Sequence, residues 1–483
     1  MSISSALNAA ITGLTASARA ADVTSSNLAN VLTEGYAPRQ LELNSNGYGR
    51  SGVSITGITR RVDPVLLTDR RAADGALSHA ETRAEFVASL ERTLGTPDDP
   101  ASLSGRLAAF EASLLFASNN PENSNAHLEV AVRAGELTQA FNIASNEIER
   151  DRTDTEGQIS STVDRANTLL GNIQQLNVEI AGHANKDHLS ASLLDHRQQQ
   201  IDELATLIPV RQVPRDNGTL ALFTPGGAIL LDGTAATLEF NPSNVVAPHM
   251  TLGNGQLSGL TINGVAVPPS GTGSPVEGGR LAALFSVRDD LAVDAQTQLD
   301  ALARNMLERL QDPSLDATRA PGDPGLFTDG GLLFDPVNEV GVAGRISLNA
   351  LVDPAQGGAA WRLRDGLGAL TQGPAGNGTL LTELSTALSS DVSLASGSLG
   401  GTARSLTGHL ATYSSQLGQN RLTLDQTLTF ASALQSELVN LELENGVDTD
   451  AELQRLLLVE QAYGANARMI QTIDEMMQAL LRI

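Results

Sequence analysis

Three patterns in this sequence could do chemistry. Gly47-Tyr48-Gly49-Arg50-Ser51-Gly52 matches the G-x-G-x-x-G that wraps a dinucleotide pyrophosphate. That use needs a buried strand before the glycines and a helix start after them. Here polar Asn44-Ser45-Asn46 precedes the run and strand-like Val53-Ser54-Ile55-Thr56 follows it. His183, His188 and His196, with Asp187 and Asp195, offer the imidazole and carboxylate donors that suit zinc. Their spacings of five and eight do not put all three on one helical face, and no H-E-x-x-H occurs, so they read as solvated bundle ends. The 55 Asp and Glu residues leave room for a glycosidase-type carboxylate pair, but nothing singles out two of them. With no cysteine there is no disulfide, thiolate metal site or cysteine nucleophile. The expectation is a protein that is not an enzyme and has no catalytic residue, cofactor or metal.

Composition narrows the partners. The chain has 483 residues, enough for two to four domains with ample cores. Only 3% of residues are aromatic, so those cores must be built from Leu, Val, Ile and Ala. A net charge of -24 argues against nucleic acid, whose phosphates demand clustered Lys and Arg. No basic amphipathic helix suits an anionic membrane surface. Residues 1–18 carry no charge, and Ser2, Ser4, Ser5, Asn8, Thr12, Thr15 and Ser17 interrupt any apolar run. This start is read as neither a signal peptide nor a membrane span.

The elements that organise the chain stand at its two ends. Leu7, Leu14, Ala21 and Leu28 recur every seven residues, with Ala10, Ser17, Thr24 and Val31 three places after each. Leu456, Val459, Tyr463, Asn466, Ile470, Ile473, Met477 and Leu480 follow the same three-and-four alternation. Each set lies on one helical face, as in a coiled coil. Matching seams 450 residues apart predict that the ends pack on each other and that the middle forms bodies between them. Asn466 inside an apolar seam is a candidate for fixing register, or a plain buried hydrogen bond. The N-terminal seam is poor in large residues, and two helices alone have little core. The termini are therefore expected to order fully when neighbouring copies complete that core.

Short motifs at these ends carry a resemblance. Ser25-Ser26-Asn27-Leu28-Ala29-Asn30 followed by Gly35-Tyr36 resembles the Asn-x-x-Asn and Gly-Tyr/Phe motif of bacterial flagellar rod, hook and hook-associated proteins. Gly446-Val447-Asp448 and Gln461 through Ala467 to Met476-Met477 resemble the C-terminal signature of the same family. Ile58-Thr59-Arg60-Arg61-Val62-Asp63, Ser118-Asn119-Asn120-Pro121-Glu122-Asn123, Gln175 to Ile180 and Leu194-Asp195-His196-Arg197-Gln198-Gln199-Gln200-Ile201-Asp202-Glu203-Leu204 resemble its hook-associated, hook–filament junction branch. The likeness covers about 1–210 and 400–483. The turn departs from the family's Asn-Thr-x-Gly-Tyr-Ser-Arg, reading Leu32-Thr33-Glu34-Gly35-Tyr36-Ala37-Pro38-Arg39.

The resemblance implies a structural subunit that joins hook to filament by self-assembly in a ring or helical lattice. Its assembly residues would be Leu7, Leu14, Asn27, Leu28, Asn30, Gly35, Tyr36, Leu456, Val459, Tyr463, Asn466, Ile470, Ile473, Met477 and Leu480. Implied partners are the hook protein, a second hook-associated protein and an export chaperone at the C-terminal helix. The implied location is the extracellular flagellum, reached by the flagellar type III apparatus without a cleaved signal. A hook or distal-rod subunit, and a secreted cell-wall hydrolase on the same scaffold, are the alternatives.

Between the ends, Leu77, Ala80, Ala84, Val87, Leu90 and Leu94 form an amphipathic face closed by Gly95-Thr96-Pro97. A long helix is expected from about His127 to Ile180. Leu406 to Leu441 keeps a four-three repeat over five heptads, and the three helices should bundle. Thr449-Asp450-Ala451-Glu452 has the spacing of a capping box. From Pro209 to Gly279 short β-like runs alternate with Asn217-Gly218, Gly226-Gly227, Asp232-Gly233, Asn254-Gly255 and Asn263-Gly264. The expected fold is mainly α with an inserted antiparallel β domain. Expected units are 1–60 with 446–483 for assembly, 61–208 with 280–311 and 403–445 as the bundle, 209–279 as an outer β domain, and 312–402 packed on the bundle. Leu281 to Leu310 is expected to be helical, with a short helix near Leu380 to Leu388.

Overall fold

The computed structural model describes residues 3–33, 35–45, 52–183 and 187–482, without the side chains of 187–190. Most of the G-x-G-x-x-G run, Gly47 to Ser51, lies outside the described residues, as do the side chains of Asp187 and His188. Among the described residues the fold is mainly helical with four small antiparallel sheets. Helix α1 (Ile3–Ala29) leads into a hairpin of β1 (Arg39–Ser45) and β2 (Val53–Arg60), bulged between Glu42 and Leu43. Helix α2 (Pro64–Leu94) starts where the Asp63 carboxylate accepts from the Val65 and Leu66 N–H groups, with Pro64 in its first turn. It stops at Gly95, where φ is 74° and a side chain would strike Ser102.

Helix α3 (Leu103–Asn119), capped by Ser102, went unread in the sequence. Its apolar residues encircle it: Phe110 and Leu114 are buried while Leu115 and Phe116 face out, so no one-sided stripe marks it. Helix α4 (Ser124–Gly182) begins at Asn123, which caps the Asn-rich turn, and its 59 residues extend about 90 Å. Two cores are built along it. Val130, Leu137, Phe141 and Ile148 serve the first; Ile159, Val163, Leu169, Leu170 and Ile173 serve the second. Helix α5 (Asp187–Leu207) folds back along α4. Arg165–Glu203, Asn172–Gln200 and Asn177–Arg197 pair in opposite chain order, which fixes the two helices antiparallel.

Next come β3 (Arg211–Pro214), β4 (Leu220–Phe223), β5 (Ile229–Asp232) and β6 (Thr234–Ala235), paired in that order. A second sheet joins β7 (Leu238–Glu239), β8 (Leu260–Ile262) and β9 (Val265–Val267). Asn263-Gly264, with φ of 52° and 75°, is the tight turn between β8 and β9 that the dipeptide predicts. Asn254-Gly255 instead falls in an irregular loop. Inward Leu222, Leu231, Leu238 and Leu260 share a core with α4, α5 and helix α6 (Arg280–Ser286).

A wide turn of π-helix, Val287–Leu291, joins α6 to α7 (Ala292–Gln311), so the expected single helix carries a bulge. At that bulge Arg288 is wholly buried between Glu156, at 2.6 Å, and Asp289, with Phe285 beneath its guanidinium. Neighbouring Arg152 donates to the carbonyls of Arg288, Ala247 and Met250, and Glu156 accepts from Ser243 N–H. This charge cluster ties the loop before β8 to α4 between the two cores. Removing one partner from such a buried pair costs about 3–5 kcal/mol.

The region 312–402 holds β10 (Phe327–Asp329), α8 (Val342–Arg345), β11 (Ile346–Leu348), α9 (Arg362–Asp365) and α10 (Thr379–Ser389). Phe327 meets Phe110 edge to face, and Leu363, Leu384 and Leu388 join the first core. Helix α11 (Leu406–Glu444) sinks Leu406, Leu410, Tyr413 and Leu417 into that core and then runs along α2. Its five-heptad repeat is only half covered. Ala431 is buried on the α2 side, whereas Leu434, Leu441 and nearby Phe430 are exposed. Helix α12 (Thr449–Leu481) returns to α1.

Asp300 on α7 gives a pH test of this packing. Its carboxylate accepts from Gly341 N–H (2.7 Å), Ala343 N–H (2.9 Å) and Gln296 Nε2 (3.0 Å), pinning α8. Burial nevertheless pushes its pKa up to about 6. The native chain therefore binds this proton more tightly than the unfolded chain. The group's contribution to stability rises as pH falls from above 6 towards 4. We expect the parent to gain about 1 kcal/mol over D300N between pH 7 and pH 5. Urea-unfolding midpoints of both proteins at the two pH values provide the check, and an unchanged gap would contradict the assignment.

Candidate assembly site

The expected terminal residues meet in one place. α1 and α12 lie antiparallel: Asn27 contacts Glu452, and Gly13 contacts Asn466, two heptads apart on each helix and in opposite order. A Cβ on Gly13 would come within 2.9 Å of both amide atoms of Asn466, so glycine there lets the helices approach across the polar residue. Ala10, Ser17 and Thr24 are buried in the seam, and Leu7, Leu14 and Leu28 are half-buried beside them. On α12, Ile473 is buried, and Leu456, Val459, Asn466 and Ile470 are half-buried. Tyr463, Met477 and Leu480 are exposed. Only Glu452 and Ile473 of the 33 residues of α12 are buried. Leu453 and Leu457 on one side of the helix, and Leu458, Met469 and Met476 on another, are exposed.

Asn27 is the centre of the site and is 0% exposed. Its Nδ2 donates to Arg39 O (2.9 Å) and to Glu452 Oε1 (3.0 Å). Its Oδ1 accepts from Tyr36 Oη (2.8 Å) and Arg39 N–H (2.9 Å). One amide with both donors and both acceptor positions used thus joins α1, the Gly-Tyr turn, the start of β1 and the first turn of α12. Asn30 has a local role: Nδ2 donates to Ser26 O at 2.8 Å and Oδ1 accepts from Thr33 Oγ1 at 3.2 Å, closing the end of α1. Gly35 takes φ of 74°, and a side chain there would collide with Gln199 on α5. The Arg39 guanidinium lies over the Tyr36 ring, 4.9 Å from its centre.

Two sequence expectations change here. The cap of α12 is Asp448, which accepts from Asp450 and Ala451 N–H, so Thr449 is the first helical residue. Glu452 is then too far along to reach back, and it serves Asn27 and Arg455 instead. Asp195 is not a solvated bundle end. It is 8% exposed and receives Arg39 Nη2 at 2.9 Å and Arg60 Nε at 2.7 Å. His183 caps α4 through Glu179 O and His196 is exposed. Among the described residues no group of three His, Asp or Glu is placed to hold a metal, and no helix is long and apolar enough to cross a membrane. Gly52, the described end of the glycine run, packs against Thr12 of α1.

Sequence reasoning missed Glu452, Arg39, Arg60 and Asp195 as members of this site. Their pairings span up to 425 residues, and only the quoted motifs around them gave a signal. We expect Asn27→Ala to strip amide-exchange protection from α1, β1 and the start of α12 while leaving α4 and α7 protected. The loss should be about 2–4 kcal/mol, because Tyr36 Oη, Arg39 N–H and Glu452 lose partners together. Asn27→Asp should lose as much through repulsion by Glu452, and E452Q should recover part of it. Hydrogen exchange by mass spectrometry reads all three proteins.

Three family models match the chain. The flagellar hook-associated protein FlgK helical domain covers 87–325, the flagellar basal body rod FlgEFG protein C-terminal covers 444–483, and the flagella basal body rod protein covers 7–36. The chain is 22% identical to flagellar hook-associated protein 1 of Bacillus subtilis, over 98% of this chain and 97% of that protein. It is 28% identical to the Salmonella typhimurium protein of that name over 53% of this chain and 51% of the relative. The Escherichia coli protein is 24% identical, again over 53% and 52%. The structure of the flagellar hook junction protein FlgK from Burkholderia pseudomallei aligns with a TM-score of 0.44 at 24% identity, over 55% of this chain and 47% of that one. With a hook-associated helical-domain match in its body, rod-family matches at both ends and a relative aligned over 98% of its length, the chain is similar throughout to flagellar hook-associated protein 1.

Proposed function

We propose that this chain is a structural subunit of the bacterial flagellum at the hook–filament junction, and that it assembles with copies of itself through α1 and α12. The observation that carries the assembly reading is the half-covered terminal pair. α12 turns one apolar row to α1 and leaves Leu457 59% and Leu458 66% exposed. Large apolar side chains left exposed outside the buried face of a helix have the form of a helix awaiting neighbours. Leu7, Leu14, Leu28, Tyr463, Met477 and Leu480 would contribute to those contacts. Asn27, Asn30, Gly35, Tyr36 and Asn466 would set the geometry of the pair.

In this reading 1–60 with 446–483 is the assembly unit. The helical body built on α4 bears load, 209–279 lies outside, and 312–402 stays packed on the body. Contacts between copies are heterologous, closing a ring or continuing a helix. Hook protein on one side and a second hook-associated protein on the other are the partners, with an export chaperone at α12 before export. No enzymatic step is assigned. The long helices α4 and α11 favour this over a hook or distal-rod subunit, whose resemblance rests on the chain ends.

Cells lacking the gene should build complete hooks without filaments and lose flagellin to the medium, as seen by electron microscopy and immunoblotting. Missing hooks would move the protein into hook or rod. For the assembly surface, Leu457→Ser with Leu458→Ser should leave circular dichroism unchanged and lower oligomer yield about tenfold or more, the equivalent of about 1.4 kcal/mol. Removing 449–483 should abolish assembly; normal oligomers in either case would refute the terminal-helix interface.

A further inference from the structure

The terminal unit of α1, β1, β2 and α12 is joined to the rest of the chain by two covalent crossings. They are Arg61-Val62-Asp63, between β2 and α2, and Asn445-Gly446-Val447-Asp448, between α11 and α12. Two short crossings define an axis but do not fix rotation about it. A third point of attachment would. α5 supplies it: the β1–β2 hairpin and the Gly-Tyr turn rest on this helix, and the contact centres on Asp195.

We propose that Asp195 is the latch that fixes the angle of the terminal unit on the body, and that removing its charge frees the unit to pivot while both parts stay folded. One carboxylate holds both ends of the hairpin. Oδ2 takes Arg39 Nη2 from the start of β1, and Oδ1 takes Arg60 Nε from the end of β2. Arg60 also donates to buried Gln198 at 2.9 Å, one turn of α5 onward, and Ala37 N–H points at Oδ1 from 3.5 Å. Gly35 sits against Gln199 with no space for a side chain. The segments Ile58–Asp63 and Leu194–Leu204, which the seams and the Asn27 hub do not use, meet at this joint.

Like charges crowd this joint. Arg197, on the same helix, is buried and donates to Asn177 Oδ1 and Gly218 O. Burial, and then the charge of Arg60, bring its pKa down to about 10. Arg60 itself is lowered by burial, with Asp195 opposing and Arg39 adding to the effect. Two guanidiniums are therefore held on one carboxylate, with Arg197 acting on Arg60 from behind and Asp202 a more distant second acid. Taking the charge from Asp195 leaves Arg60 facing the like charges of Arg39 and Arg197 without a counter-ion between them. The covalent crossings and the Asn27 hub do not depend on it. A junction subunit has a use for such a joint, since it meets different neighbours on its two sides. That use rests on the reading above, but the latch is a property of the single chain.

The chain has no cysteine, so Thr56→Cys on the exposed edge of β2 and Ser161→Cys on α4 give two unique spin-label sites. In the full-length monomer, pulsed electron resonance should return one narrow distance. Asp195→Asn should broaden it or shift it by several ångströms, with helical circular dichroism retained. The double variant Arg39→Gln with Arg60→Gln, which removes the cations instead, should broaden it likewise. An unchanged distribution in either variant overturns the latch, as does a parent distribution that is already broad. Loss of helical signal in D195N would make Asp195 a support of the body and also overturn it. None of these readings depends on whether the chain assembles.

Discussion

The geometry of the chain ends depends on one buried amide. Asn27 makes four hydrogen bonds to three residues, Tyr36, Arg39 and Glu452, which belong to the turn, the start of β1 and α12. An apolar residue could fill its volume but could not say where Tyr36, Arg39 and Glu452 must stand. The seam between α1 and α12 is weak in specificity, since Ala10, Ser17 and Thr24 would pack on many phases of an apolar helix. Polar groups supply the missing register at two points two heptads apart, Asn27 with Glu452 and Gly13 with Asn466. A seam of small residues with polar marks at fixed spacing trades binding strength for a single alignment.

The body solves a different problem, which is length. A single helix of 59 residues bends unless it is braced along its whole extent. α4 is braced by a core at each end, and the Arg288–Glu156–Asp289 cluster occupies the middle where neither core reaches. The π-turn at Val287–Leu291 is where the α6–α7 helix gives up regular geometry and Arg288 reaches Glu156 on α4. Charge placed there is directional in a way that leucine packing is not. It locks the loop before β8 through Ser243, Ala247 and Met250.

What could be read in the sequence follows from the range of each interaction. Turns and stripes are local, so Gly95, Asn263-Gly264 and the heptads of α1, α11 and α12 announced themselves. Helix α3 did not, because the side it turns away from α4, α10 and α11 also carries apolar residues, Leu115 and Phe116, so no polar stripe contrasts with the buried one. The capping-box spacing at Thr449 was read one residue late, since Asp448 competes for the same N–H groups and wins with a carboxylate. Asp195 was misplaced for a deeper reason. A charged residue on a predicted helix is ordinarily solvated, and only the fold brings two arginines to it from more than 130 positions away. The terminal residues were legible as seams, but their common centre at Asn27 was not, because three of its four bonds reach the turn and β1 and the fourth reaches α12.

Exposed apolar side chains are a hazard for a free subunit, and its charge bears on how that hazard is contained. Patches of this kind drive indiscriminate association when nothing opposes them. Here the chain carries a net charge of -24, and Glu460, Asp474 and Glu475 are interspersed along α12. In the proposed assembly, copies would repel at distances where charge is felt and attract only once apolar side chains are within contact range and aligned. Repulsion is screened over about 8 Å at physiological ionic strength, whereas burial of leucine is not screened at all. The balance would select contacts that bury all of these side chains over glancing ones that bury a few. The polar marks at Asn27 and Asn466 choose the phase within one chain, and the acidic surface raises the cost of every partial contact between chains.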